Sequence, residues 1–147
     1  MVADRTEREI VIAAPVERVW EALVEPEFWL GEADTGGAEV AEGARLVSEH
    51  EEYGSFPQRI EKLDPHRYLA YRWASAWPGE DPREGNSTLV EFALTAEGAR
   101  TRLRVVESGF AGLDLSEQQR RQAWDDNTEG WAEALDDFRR QVEKQAQ

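Results

Sequence analysis

The sequence predicts an α+β protein: a curved antiparallel β-sheet wrapped around one long C-terminal α-helix, with two short helices after the first strand. Three observations lead there. In the last thirty residues Trp124, Trp131, Leu135, Phe138 and Val142 recur at steps of seven, four, three and four, which places them on one narrow helical face. The middle of the chain alternates with the period of a strand: Val90, Phe92 and Leu94 against Glu91, then Leu103 and Val105 against Arg102 and Arg104. Tight turn signals, among them Asp64-Pro65 and Glu97-Gly98, separate such runs. They make the sheet antiparallel, with one apolar face for the terminal helix to cover.

Taken in order, Glu7–Ala13 is rich in Ile and Val and reads as a strand. Ala14-Pro15 breaks it, and Pro15 suits the first turn of a helix carrying Val16, Val19, Trp20 and Leu23 and closing before Pro26. Phe28, Trp29 and Leu30 follow in a second short helix or turn. Glu32–Gly43 is small and polar, a loop with a short strand near Ala38–Val40. Ala44–Glu51 and Phe56–Leu63 are strands joined by a turn over Glu52–Ser55. Tyr68–Ala74 is the next strand, with Leu69, Tyr71 and Trp73 on one face. Trp77–Asn86, with two prolines and two glycines, is a long hairpin loop. Thr88–Thr95 and Thr101–Glu107 complete the sheet, and Gly109–Leu115 links it to the helix. That helix starts at Ser116, with Gln119 placed to close a capping box, and runs to Gln147.

The chain has 147 residues, read as a single domain (1–147), long enough to bury roughly 70% of its unfolded surface. It has no cysteine, which excludes disulfides and thiolate chemistry. The charged start, Met1 to Glu9, is unlike a secretory signal, and no apolar run approaches the roughly 20 residues of a membrane span. A cytoplasmic location is the resulting expectation. A net charge of −14 argues against nucleic acid and anionic membranes as partners.

Little in the sequence spells catalysis. His50 and His66 have no partner at metal-ligand spacing, so no metal and no cofactor are expected. No Gly-x-Ser-x-Gly elbow is present, and Gly36-Gly37 lacks the strand and helix that a phosphate cradle requires. Glu107 is different. It continues the alternation of Leu103 and Val105, so it points inward at the end of its strand and needs a partner there, with Arg59 and Arg72 as candidates. Around it, Phe28, Trp29, Tyr71, Trp73, Trp77, Phe110, Trp124 and Trp131 are candidate walls of a concave space between sheet and helix. Asn127 and Thr128 flank the helical stripe, and polar groups there need partners or face a cavity. Gly130 costs about 1 kcal/mol relative to Ala in a helix interior, which close packing or ligand clearance would justify.

Several phrases, in order, resemble the START-like (SRPBCC, helix-grip) superfamily, in the branch of the activator of heat-shock-protein-90 ATPase homologue-like proteins. They are Ala14-Pro15-Val16-Glu17-Arg18-Val19-Trp20-Glu21-Ala22-Leu23, and Ile60 through Trp73 with its Asp-Pro and Leu-x-Tyr-x-Trp. Thr101-Arg102-Leu103-Arg104-Val105, Glu107-Ser108-Gly109-Phe110, Asn127 and Gly130-Trp131-x-x-x-Leu135 complete the set. The resemblance implies a helix-grip fold with a hydrophobic cavity under the C-terminal helix; superfamily members bind lipids, sterols, polyketides or plant hormones, and some are cyclases or hydrolases. Cochaperone members carry an additional N-terminal domain, and ATPase activation is not expected of a chain that begins at the first strand. No catalytic set carries over. The expectation is a binding protein for a small hydrophobic or aromatic ligand, with Asn127, Glu107 and Arg59 orienting its polar end. The alternatives are a cyclase- or hydrolase-type enzyme in the same cavity and a cochaperone-like interaction module. A chaperone partner and a homodimer stay open.

Overall fold

A computed structural model describes residues 4–24, 32–34, 42–50 and 54–145. Strand β1 (Arg5–Ile12) leads into helix α1 (Val16–Leu23). Strands β2 (Glu32–Asp34), β3 (Arg45–His50), β4 (Gly54–Asp64), β5 (Tyr68–Trp73), β6 (Thr88–Glu97) and β7 (Arg100–Ser108) follow. A 3-10 turn (Phe110–Gly112) then delivers the chain to α2 (Glu117–Gln145). Among the described residues the strands form one antiparallel sheet in the order β1-β7-β6-β5-β4-β3-β2, so β2 to β7 meander and β1 pairs with the last of them. This is the α+β helix-grip architecture that the alternation and the terminal helical stripe predict.

The alternating residues choose the faces. Ile10 and Ile12 of β1, Ile60 of β4, Leu69 and Tyr71 of β5, Val90, Phe92 and Leu94 of β6, and Leu103 and Val105 of β7 are buried in one core. Val19, Trp20 and Leu23 of α1 pack into it from one side, and Leu135, Phe138 and Val142 of α2 from another. The helical stripe is therefore buried over its C-terminal half, while Trp124 and Trp131 stay half-buried nearer the start. The opposite sheet face carries ion pairs across strands, such as Arg102 with Glu9 and Glu97, and Arg104 with Glu7.

Most boundaries lie within a few residues of those expected, with some departures. A short strand forms at Glu32–Asp34, within the stretch expected to be loop; the strand expected near Ala38–Val40 and the segment Phe28–Leu30 lie outside the described residues. Strand β4 begins at Gly54, within the expected turn, and a register shift between Ile60 and Lys62 inserts Glu61 as a bulge. Ser116 caps α2 as expected: its Oγ accepts from Gln119 N at 3.2 Å, and its own N–H donates to Gln119 Oε1 at 3.1 Å. At the far end, Ala13 N donates to Glu143 Oε2 at 2.8 Å, tying α2 to the corner between β1 and α1.

Candidate functional site

The site is built where β5, β6 and β7 end beneath the first half of α2. Cross-strand register sets Trp73 opposite Thr88 and Val90 opposite Glu107, so Trp73, Thr88 and Glu107 come from three adjacent strands. Glu107 continues the inward row of Leu103 and Val105 and is fully buried. Beyond it Gly109 takes a φ of 103°, a left-handed conformation that suits glycine, and the chain turns into the 3-10 segment. From α2, Asn127 and Trp131 reach down together because they are one helical turn apart.

Four side chains converge on the Glu107 carboxylate. Its Oε2 accepts from Thr88 Oγ1 at 2.6 Å, Trp73 Nε1 at 3.0 Å and Asn127 Nδ2 at 3.0 Å. Its Oε1 accepts from Trp131 Nε1 at 2.8 Å and Asn127 Nδ2 at 3.1 Å. Asn127 Nδ2 also donates to Ser75 Oγ at 3.1 Å. Burial pushes the Glu107 pKa above the ordinary carboxyl value, while the bonds from Thr88, Trp131, Trp73 and Asn127 pull it back. Two indole N–H groups and an amide NH₂ can only donate, and the ionised carboxylate is the form that accepts from all of them. Burial, helped by the charge of Glu107, pushes the neighbouring Tyr71 hydroxyl well above its usual pKa.

No cation balances this charge among the described residues. All seventeen Lys and Arg residues fall in the described stretches, and none forms a salt bridge with Glu107. The expected partners, Arg59 and Arg72, are directly opposite each other on β4 and β5 and lie on the outer face. Both turn to the bulge residue Glu61, at 2.8 Å and 3.5 Å, which relieves the repulsion of two like charges in register. Arg59 is thus not available to orient a ligand beside Glu107.

Aromatic rings surround the carboxylate. Trp73 meets Tyr71 (centroids 5.9 Å), Tyr71 meets Phe92 (6.2 Å), Phe92 meets Trp131 (5.7 Å) and Trp131 returns to Trp73 (6.3 Å). Phe56 of β4 adds a fifth ring, 6.1 Å from Trp73. Tyr71 and Phe92 are fully buried and form a floor, whereas Trp73 and Trp131 are half-buried above it.

The structure thus brings together Tyr71, Trp73, Glu107, Asn127 and Trp131 of the expected set. Three others do not bond the carboxylate. Trp124 is half-buried and donates from Nε1 to Arg5 O at 2.9 Å, on the β1 side of the helix. Phe110 opens the 3-10 turn and is fully buried, and Trp77, in the β5–β6 loop, joins none of these ring contacts. Phe28, Trp29 and the side chain of His50 lie outside the described residues. Thr128 finds its partner in Thr6 at 2.8 Å, and an added Cβ at Gly130 would meet open space, so close packing does not account for this glycine. Thr88, Ser75, Phe56 and Phe92 join the site without having been expected there. Thr88 was legible: extending the row of Val90, Phe92 and Leu94 back by two residues puts its hydroxyl on the inner face. Ser75 carried no signal, since it lies just beyond the strand.

A curved antiparallel sheet gripping a long C-terminal helix, with a polar knot at the helix's midpoint, defines a START-like protein. The chain belongs to the Activator of Hsp90 ATPase homolog 1-like protein family, whose model matches residues 13–143. Among solved structures, protein MLL2253 from Mesorhizobium loti is similar over 97% of this chain and 98% of its own, with 24% identity and a TM-score of 0.77. The Aha1 dimer from Colwellia psychrerythraea is similar over 96% and 97%, with 18% identity and a TM-score of 0.71. CalU16 from Micromonospora echinospora is similar over 91% and 71%, with 24% identity and a TM-score of 0.63. At such identities the likeness establishes the fold. Comparison with curated protein sequences gives no match. No helix among the described residues is long and apolar enough to cross a membrane.

Proposed function

We propose that the chain is a binding protein for a small hydrophobic or aromatic ligand, held between the sheet and the first half of α2. The observation that carries this reading is the pair of half-buried indoles, Trp73 and Trp131, above the buried floor of Tyr71 and Phe92. Aromatic surface of this kind, beside a few fixed polar groups, is the usual composition of a ligand site. Burying ligand against it contributes about 25 cal/mol per Å² before ordering costs. Glu107 acts here as a positioning group. Its oxygens already accept from four side chains, which holds the two indoles edge-on to the carboxylate. That saturation favours binding over a cyclase- or hydrolase-type reaction, in which Glu107 would have to exchange protons with substrate.

The test is a screen of small aromatic and aliphatic compounds by tryptophan fluorescence, with native mass spectrometry of gently purified protein. A co-purifying small molecule, or a saturable emission shift lost in Trp131→Ala, is the expected outcome. An emission spectrum unmoved by every compound, with the bare chain mass alone, contradicts the reading.

A further inference from the structure

We infer that the ligand this site takes is an apolar amine, bound as its ammonium ion. The inference rests on the binding reading above and deepens it. Its basis is an inventory of the polar groups around the indoles. The indole N–H groups of Trp73 and Trp131, the hydroxyl of Thr88 and the amide NH₂ of Asn127 all donate to Glu107. The second hydrogen of that amide is directed to Ser75 Oγ. The amide orientation is dictated by the carboxylate, which can only accept, so Asn127 Oδ1 faces away from it. No described residue donates to that oxygen. Beside it the Ser75 hydroxyl already accepts one hydrogen bond and keeps a further lone pair. Among the described groups that bond Glu107, the donors are thus spent on the carboxylate, and what they leave to a guest is acceptor capacity.

Charge points the same way. Glu107 is buried and unbalanced by any of the seventeen Lys and Arg residues, and the chain as a whole carries −14. An anionic head group, such as a fatty-acid carboxylate, would meet repulsion from Glu107, and the donors bonded to Glu107 are already spent on it. An ammonium would meet Asn127 Oδ1, Ser75 Oγ, the field of Glu107 and the π-faces of two indoles. Their N–H bonds to a carboxylate make those faces more electron-rich, which strengthens a cation–π contact.

Three probes of matched shape separate the possibilities: 4-phenylbutylamine, 4-phenylbutanol and 4-phenylbutyrate, titrated by calorimetry at neutral pH. The amine is expected to bind at least about tenfold more tightly than the alcohol, and the butyrate more weakly than either. A general attraction to an acidic protein would fade in about 0.5 M NaCl, whereas attraction to a buried charge is screened far less, so the preference should persist there. In Glu107→Gln, provided its circular dichroism matches wild type, the amine and the alcohol should bind within about threefold of one another. Equal or tighter binding of the alcohol or the butyrate overturns the inference, as does a preference that vanishes in salt. Binding of none of the three also overturns it, and leaves the broader binding function to the ligand screen.

Discussion

Glu107 holds a charge among aromatic rings, and four donors compensate for the water it gave up. Replacing it by glutamine places an NH₂ group, a donor, among groups that themselves donate. Glu107→Gln should therefore destabilise the fold by about 1–3 kcal/mol, read from chemical denaturation. The same residue predicts a pH dependence. Because its pKa is raised on folding from the ordinary 4.5, the native chain holds the proton more tightly than the unfolded chain does. Its contribution is fully present below the ordinary carboxyl value and is lost as pH rises through the folded one. The stability of wild type minus that of Glu107→Gln should thus fall with rising pH across that window, and a difference that rises would refute the assignment. The inward aim of Glu107 was legible from Leu103 and Val105. Its partners were not, because alternation gives the face of each residue without naming the neighbouring strand. Arg59 and Arg72 were misread for that reason, since the Glu61 bulge on the outer face lay beyond any period-two pattern.

At the scale of the element, α2 is the part most open to sequence reading, since its stripe, its cap and its length are all local properties. Ser116 and Gln119 close the capping box, so Ser116→Ala should lower stability by about 0.5–2 kcal/mol. Gly130 is a helical residue whose added Cβ would meet open space. Gly130→Ala should accordingly raise the melting temperature, with a gain of up to about 1 kcal/mol, and a loss would reveal a contact made by the missing side chain. Local pattern did not show that the two halves of the helix differ. Leu135, Phe138 and Val142 are sealed into the core, whereas Trp131 and Asn127 end on a polar knot. That contrast depends on which strands end beneath each half, a fact of topology.

Across the whole molecule, the sheet order β1-β7-β6-β5-β4-β3-β2 makes the site possible, since it lays β5, β6 and β7 side by side. Turn signals and alternation pointed to the antiparallel meander, whereas the return of β1 to β7 was not legible, because pairing between strands from opposite ends of the chain leaves no local signal. Aromatic content alone does not rank the candidates: Trp124 is as apolar as Trp73, but its indole bonds Arg5 on the β1 side of the helix rather than Glu107. The central claim is that a small apolar guest lies against Trp73 and Trp131, beneath the first half of α2. The most direct measurement follows the indole N–H resonances of the six tryptophans by nitrogen-labelled NMR during titration with the tightest compound of the screen. The expected result is that Trp73 and Trp131 shift together and saturably, while Trp124, bonded to Arg5 on the other side of the helix, holds its position. Shifts confined to Trp124 or Trp77, with Trp73 and Trp131 unmoved, would contradict it.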